Sequence, residues 1–516
     1  MREHNMNIFN LTKTEGRRKY FLDFAKPLLS VIYFSIPAML GTLVVSSYEI
    51  IDKLIATHVG VMLWLKTSGL DTVISFGKAQ SIINTVMGYS AAIYSGLAAF
   101  SFFISLGTGV HFAINCGARR YEKARYFFFN GLFLSFFLSL ISIVVFNLIL
   151  RPIINYEVNA SNLGGELDSQ VVRQIVFHYT FAYSQIFVFL SPLLYVSNFF
   201  LSIFRAEGKT YLSTMIILIS LALNILLDFF FLGRLGTGLL GTAYATGIAW
   251  IFSIIISILN IRSFRADSPM KIAFRHFRLD KDIIFSILTM GITSLVQNMF
   301  VFTLSILAIN RLSNLPFGTS FEPPIGIRIY SAIFPWVILL NSPLIGLTQA
   351  ARPLVSWNYG RENYHRAFEI IKAAFLFLLA FSFFSQLIVF FFRDDMLMIY
   401  MGKSKEASEI IQRYSFLLIY QFLSFPLSSF YFISVILFQS VNRPFISFFC
   451  SVLRGFIFPI VAIEAGFFFA CSFQSPVLFY LSLGVIDLCT LPVFLLFLLL
   501  AYRYFNKSQE KILKVL

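Results

Sequence analysis

The sequence carries little charge for its length. Only 13% of its 516 residues are Asp, Glu, Lys or Arg, whereas 58% are hydrophobic, and the mean hydropathy is +0.79. Soluble domains carry about 25% charged residues. A water-soluble core in a chain of this length cannot bury so many apolar side chains, so the composition indicates a membrane protein.

The sequence also lacks the patterns that accompany catalytic and metal sites. It has no histidine cluster, no Gly-rich phosphate loop and no nucleophile elbow, and His111 and His178 are isolated. Its four cysteines have no metal-like spacing and are expected to be small apolar helix residues rather than disulfide partners. They are Cys116, Cys450, Cys471 and Cys489. These absences disfavour a membrane enzyme, and we expect no catalytic residues and no cofactor.

Long apolar runs dominate the chain. They are continuous, as in 127–150, so they predict membrane-spanning helices rather than the alternating strands of a β-barrel. The first run is too long for a signal peptide and is expected to remain as a spanning helix. Twelve spanning helices are predicted, at about 28–56, 83–112, 126–149, 174–204, 211–233, 239–261, 283–310, 325–350, 367–391, 409–440, 445–465 and 475–502.

A charged linker divides these helices into two lobes. The predicted segments are an N-terminal tail (1–27), an N-lobe (28–261), the linker (262–282), a C-lobe (283–502) and a C-terminal tail (503–516). Most of the 40 Lys and Arg lie on the side of the termini and linker, which predicts that this side is cytoplasmic. The net charge of +15 suits anionic lipid headgroups. With no soluble basic domain, we expect no nucleic-acid partner, and we expect a monomer in the plasma or inner membrane.

Two loop motifs recur at matching places in the lobes. GARRYEKA (117–124) follows the second helix, and GRENYHRA (360–367) follows the eighth. LSIFRAEGKT (201–210) and VILFQSVNRP (435–444) follow the fourth and tenth helices. An even number of helices per repeat predicts two six-helix bundles related by a pseudo-two-fold axis along the membrane normal, with a cavity between them. Such repeats are typical of alternating-access transporters.

Four stretches carry a resemblance to a known family. They are FSIPAMLGTLVVSSYEIIDKLIATHVG (34–60), GTGVHFAINCGARRYEKAR (107–125), LNILLDFFFLGRLGTGLLGTAYAT (223–246) and GLTQAARPLVSWNYGRENYHRA (346–367). In their order and spacing the chain resembles the multidrug and toxic compound extrusion (MATE) family of the multidrug/oligosaccharidyl-lipid/polysaccharide flippase superfamily. The segments 57–82 and 151–170 are longer than that resemblance implies.

Several polar residues interrupt the apolar runs of the N-lobe. Asn224 and Asp228 are four residues apart and share a helix face. A carboxylate and an amide oxygen suit Na⁺, or a proton held on the carboxylate. Asp52 and Thr246 are expected to complete the group, and the resemblance implies that these four residues bind the coupling cation. The alternative is structural: Asn and Thr bond neighbouring helices, and Asp52 stays hydrated or pairs with a neighbouring charge.

The apolar parts of the first and fourth C-lobe helices contain no acid. Gln297 and Asn298 either line a substrate cavity or make packing hydrogen bonds. Arg454 either pairs with Asp487 or extends to the cytoplasmic side. These features favour cation coupling through the N-lobe.

Pro37 removes a backbone hydrogen bond from the first helix and permits a bend there. This bend is either a hinge that responds to protonation of Asp52 or a static kink.

The resemblance implies secondary active efflux: small organic compounds, aromatic and cationic, leave in exchange for H⁺ or Na⁺. With 18% aromatic residues, the chain can supply stacking and cation–π contacts for such compounds. The alternative within the superfamily is a flippase for lipid-linked precursors. That function calls for a cationic cavity, whereas the candidates here are acidic.

Overall fold

The computed structural model describes residues 13–59, 61–69, 75–160, 170–262, 270, 278–315, 323–401 and 405–513. Throughout this part of the chain the secondary structure is helical. The first half contains α1 (Lys13–Asp23), α2 (Pro27–His58), α3 (Val61–Thr67), α4 (Phe76–Gly117), α5 (Tyr121–Ala160), α6 (Gln170–Ala206), α7 (Thr210–Gly233) and α8 (Leu239–Arg262). The second half contains α9 (Lys281–Ser313), α10 (Pro323–Gly360), α11 (Tyr364–Met401), α12 (Lys405–Tyr414), α13 (Phe416–Gln421), α14 (Ser428–Ser440), α15 (Pro444–Val452), α16 (Phe458–Ser472), α17 (Val477–Gly484) and α18 (Ile486–Leu513).

The twelve predicted spanning segments all fall on helices, which confirms the all-α fold. Within the described residues, eleven segments are long and apolar enough to cross a membrane. The remaining predicted span corresponds to α9, which has 33 residues, enough to cross a bilayer. The structure therefore has six long helical segments in each half of the chain.

The last three spans of the C-lobe are broken, although the sequence predicted continuous helices. A 3₁₀ turn (Phe425–Leu427) separates α13 from α14, and Pro426, which has no N–H to donate, lies within it. A π turn (Leu453–Ile457) separates α15 from α16. A break at Val485 separates α17 from α18, and Ser424 donates from its hydroxyl and its backbone N–H to the Gly484 carbonyl there. At two of the breaks, side chains of neighbouring spans bond the backbone: Ser424 at Gly484, and Gln386 at Phe422 and Leu423.

The predicted repeat has a structural counterpart in its turns. Arg119 and Glu362, at the third position of the paired GARRYEKA and GRENYHRA motifs, have φ of 58° and 61°. Gly208 and Asn442, in the second pair of motifs, have φ of 81° and 58°. Left-handed residues are uncommon outside glycine, so their recurrence at matching positions marks two copies of one helix–turn–helix design.

These four turns share one side of the molecule with α1, and we call this side the basic face.

Other predicted boundaries differ from the structure. Residues 13–23 of the predicted N-terminal tail form α1, and α18 continues to Leu513, beyond the predicted end at 502. The long loop predicted at 151–170 is helical up to Ala160. The predicted linker lies mostly outside the described residues, although Met270 is buried.

The two lobes cross closely at α4 and α9. A Cβ added to Gly107 of α4 would collide with the backbone carbonyl of Ile287, and one added to Gly291 of α9 would collide with that of Phe103. The contact is reciprocal, because each helix presents a glycine to the backbone of the other. Glycine is required here for close approach rather than for its dihedral freedom.

A second reciprocal crossing joins α4 to α10 at the basic face. Gly117 of α4 lies against the backbone of Trp357, and Gly360 of α10 lies against the backbone of Ile114. Gly117 and Gly360 are the first residues of the paired loop motifs. The repeated glycines therefore hold the N-lobe against the C-lobe at the basic face.

Helix α1 joins the two lobes at the basic face. Asp23 accepts a hydrogen bond from Trp357 Nε1 at 3.1 Å and pairs with Arg361. Arg366 of α11 donates to three backbone carbonyls between residues 21 and 25. Arg18 reaches the buried Glu207 of the N-lobe at 3.2 Å. Helix α1 thus contacts both lobes.

Candidate functional site

Asn224 and Asp228 lie on one face of α7, where they are 3% and 0% exposed. The amide nitrogen of Asn224 lies 3.5 and 3.4 Å from the two carboxylate oxygens of Asp228. One helical turn of separation produces this contact. A buried carboxylate in a membrane helix is costly unless its oxygens are bonded, so Asp228 is a functional candidate on physical grounds.

Asp52 of α2 lies close to the same region. Helix α2 packs against α7, and Asp52 is half-buried. Asp52 and Asp228 both lie near the phenol of Tyr183, on α6. The Tyr183 hydroxyl lies 3.3 Å from Thr242 Oγ1, on α8. Four helices of the N-lobe therefore contribute to one polar group around Tyr183.

Thr246 is half-buried on α8, and its predicted part in the cation site stays a prediction. Its hydroxyl donates to the carbonyl of Thr242 in its own helix at 2.9 Å. Thr242, one turn earlier in α8, is the threonine whose hydroxyl faces Tyr183. The sequence analysis did not single out Tyr183 or Thr242. The sequence signal was weak, because YSQ (183–185) is one of several polar breaks in the apolar run at 174–204.

An aromatic cluster adjoins the carboxylates. The ring of Phe187 lies 5.0 Å from Tyr183, 5.4 Å from Tyr94 and 6.1 Å from Trp250. The rings of Tyr94 and Trp250 are stacked at 6.4 Å. Phe187 lies one turn after Tyr183 on α6, and Trp250 lies one turn after Thr246 on α8, so α6 and α8 carry both aromatic and polar groups. Aromatic faces next to carboxylates suit organic cations.

The two candidates in the C-lobe have different partners. Gln297 donates to the Tyr431 hydroxyl at 2.5 Å, across to another helix of the same lobe. Asn298 donates to the carbonyl of Ser294 in its own helix at 2.7 Å. Both side chains make hydrogen bonds of the kind expected for packing. Their predicted contact with a substrate stays a prediction.

Arg454 and Asp487 form the predicted ion pair. Arg454 Nε and Nη2 donate to the two carboxylate oxygens of Asp487 at 2.8 and 3.1 Å.

Pro37 lies inside α2, and its carbonyl accepts a hydrogen bond from Thr214 of α7 at 2.9 Å. Its role as a hinge stays a prediction. Among the described residues, no group of three His, Cys, Asp or Glu side chains is placed to hold a metal ion.

These features define a polytopic helical membrane protein of two lobes, with an acid-containing polar group buried in the first. The MatE family model matches residues 68–230 and 283–462, which together exceed half of the chain. The chain belongs to the MatE family.

Two curated relatives match more distantly. The multidrug export protein MepA of Staphylococcus haemolyticus is 24% identical over 350 residues, 66% of each chain. The probable multidrug resistance protein YoeA of Bacillus subtilis is 22% identical over 281 residues, 53% of this chain and 56% of that protein. The matched part thus spans just under two thirds of the length of MepA and just over half of the length of YoeA.

Solved structures share the fold. A MATE crystal structure in complex with MaL6 superposes with a TM-score of 0.77 at 18% identity, covering 97% of this chain and 100% of that one. A multidrug resistance MATE transporter of the MOP superfamily in an outward-facing conformation gives 0.77 at 16% identity, covering 95% and 98%. These similarities confirm the architecture of two six-helix bundles.

Proposed function

We propose that the protein is a secondary active transporter that exports small organic compounds by alternating access, in exchange for H⁺ or Na⁺. Family membership and the printed names of the two curated relatives, a multidrug export protein and a probable multidrug resistance protein, support export. The excess of basic residues supports a cytoplasmic location for the basic face in the plasma membrane. The proposed unit is a monomer.

The buried Asn224–Asp228 pair is the observation that carries the coupling proposal. Asp228 is fully buried on α7, and Asp52 is half-buried on the adjacent helix α2. Two carboxylates near each other in a medium of low dielectric repel when both are ionised. A proton or Na⁺ relieves this repulsion, so the group binds a cation most strongly when both acids are charged.

Cation binding then affects α2, because Asp52 and Pro37 are on this helix. The Pro37 carbonyl is bonded to Thr214 of α7, the helix that carries Asp228. Neutralising the acids lets α2 move against α7, and the bend at Pro37 accommodates the movement. Coupling requires that the cation-bound N-lobe hold the substrate more weakly than the empty one in the outward-facing state.

The aromatic cluster is the proposed substrate contact in the N-lobe. A flat organic cation would stack on Trp250 and Tyr94 with its charge toward Asp52 and Asp228. Each cation–π contact contributes about 0.5–2 kcal/mol. Substrate and coupling cation then compete for the same negative field, so binding of one promotes release of the other.

Transport in proteoliposomes tests the proposal. Purified protein is reconstituted, and movement of the fluorescent cation ethidium is followed under a pH gradient alone and then a Na⁺ gradient alone. We expect one of the two gradients to drive movement of ethidium against its own gradient. Equal rates with and without each gradient would contradict coupling.

The alternative, a flippase for lipid-linked precursors, is not favoured, because its pyrophosphate cargo would meet acidic rather than basic groups in the N-lobe. Translocation of a fluorescent polyprenyl pyrophosphate in the same vesicles, with no movement of ethidium under either gradient, would replace the first proposal with this one.

A further inference from the structure

Asp487 is the buried acid of the C-lobe that the coupling mechanism leaves unused. Its residue is 7% exposed, and both of its carboxylate oxygens accept bonds from Arg454. Asp487 lies in the first turn of α18, directly after the break at Val485. The start of a helix favours negative charge, and Asp487 lies at such a start.

Arg454 lies at a second departure from regular helix. It belongs to the π turn between α15 and α16. Its guanidinium carbon is 5.1 Å from the centre of the Tyr431 ring, and Gln297 donates to the hydroxyl of that ring. The guanidinium is therefore held by a carboxylate at its edge and by an aromatic face. A carboxylate beside an aromatic face is also an environment that attracts a free cation.

The groups of the two lobes draw on corresponding helices. In the N-lobe, the first, fourth, fifth and sixth spans supply Asp52, Tyr183, Asp228 and Thr242. In the C-lobe, the same spans in order supply Gln297, Tyr431, Arg454 and Asp487. Each group is built around a tyrosine of the fourth span. The C-lobe group lies nearer the basic face than the N-lobe group does. Both spans start at that face, and Arg454 is closer than Asp228 to the start of its span.

We propose that Asp487 is a latent cation site of the C-lobe and that the guanidinium of Arg454 fills it as a tethered cation. The C-lobe then neither binds nor releases a coupling ion during the cycle, and the N-lobe alone responds to the gradient. This inference rests on the proposed cation coupling for its consequence in transport. Its binding test stands independently of that proposal.

The test counts cations bound by the purified full-length protein. Binding of ²²Na⁺ at pH 8 and proton uptake between pH 8 and 5.5 are measured for wild type, Arg454→Gln and Arg454→Gln/Asp487→Asn. We expect Arg454→Gln to bind one more cation per chain, either Na⁺ or H⁺, and the double variant to return to the wild-type number. Unchanged binding in Arg454→Gln, or extra binding that survives in the double variant, overturns the proposal.

Two further variants separate this inference from the coupling proposal and from a folding failure. Arg454→Gln/Asp228→Asn should keep the additional cation while losing the one assigned to the N-lobe. Its failure to lose the N-lobe cation contradicts the coupling proposal alone. If Arg454→Gln does not yield monodisperse protein, Arg454→His is purified at pH 5.5, where a charged imidazole replaces the guanidinium. Raising the pH to 8 should then open the site to Na⁺ or a proton, and the absence of both, measured against Arg454→His/Asp487→Asn, overturns the proposal.

Discussion

Gly117 and Gly360 are reciprocal partners in one helix crossing: each lies against the backbone of the helix that ends in the other. A methyl group at either position would collide with a carbonyl oxygen that cannot move without shifting its helix. We expect Gly117→Ala or Gly360→Ala to favour separation of the lobes at the basic face, by about 1–3 kcal/mol.

The buried Cys116, next to Gly117, reports this opening. Its modification by a maleimide, quantified by mass spectrometry, should be about tenfold faster in either variant, the factor that corresponds to about 1.4 kcal/mol. Gly88→Ala is the matched control, because no atom lies within 4 Å of its added methyl group in the same helix α4. Equal rates in all four proteins would show that the crossing does not hold the face closed.

Asp228→Asn keeps the size of the side chain and removes its charge. Because an amide neither takes up a proton nor attracts Na⁺ strongly, gradient-driven export of ethidium should fall at least about tenfold while the protein stays folded. Asp395→Asn, at an exposed position of α11, should leave export unchanged. Normal export by Asp228→Asn would move the search for the coupling acid elsewhere.

Tyr183→Phe keeps the ring and removes the hydroxyl that faces Thr242. Because this hydroxyl lies near both acids, its removal should change the pH or Na⁺ concentration at half-maximal export more than it changes ethidium affinity. Export is measured across a series of pH and Na⁺ values, with ethidium binding followed by fluorescence. A loss of ethidium affinity with unaltered cation dependence would assign Tyr183 to the substrate alone.

Trp250→Ala removes the largest ring of the aromatic cluster. Loss of a cation–π contact of about 0.5–2 kcal/mol predicts a two- to 30-fold weaker affinity for ethidium. Phe229→Ala, at an exposed position on α7, controls for loss of an aromatic side chain. Equal affinities in the two variants would exclude the cluster as a binding site.

Asp23→Asn should loosen α1. The Asp23 carboxylate is bonded to Trp357 and paired with Arg361, and hydrogen bonds to charged groups contribute about 1.5–3 kcal/mol. Hydrogen exchange of the α1 amides should therefore accelerate about ten- to 100-fold. Lys19→Gln, at an exposed position of the same helix, should leave exchange unchanged.

The sequence predicted the twelve spans and the repeat, because both depend on local signals: apolar run length, and glycine-containing turns. It also placed Asn224 and Asp228 on one face, since their contact needs only helical spacing. It missed the broken helices of the C-lobe. Apart from Pro426, those breaks depend on distant partners, such as Ser424 bonding the Gly484 carbonyl.

The difference between local signals and distant contacts also explains which parts of the candidate site the sequence predicted. The sequence offers both Thr242 and Thr246 on α8, and only the packing of α8 against α6 shows that Thr242 lies beside Tyr183. The Arg454–Asp487 pair was one of two open alternatives, because pairing depends on how α18 lies beside the π turn. Contacts within a helix could be read from the sequence, whereas contacts between spans required the structure.

Helix α1 also has a consequence for how the chain is made. Asp23 and its partner Trp357 are 334 residues apart, so α1 leaves the ribosome long before α10. Chains are synthesised from the N-terminus, and early elements wait for later ones. The contact of α1 with the C-lobe can form only after α10 and α11 have been inserted. Closure of the basic face is therefore a late step of biogenesis, and a chain truncated before α10 leaves the carboxylate of Asp23 without the two C-lobe groups that bind it.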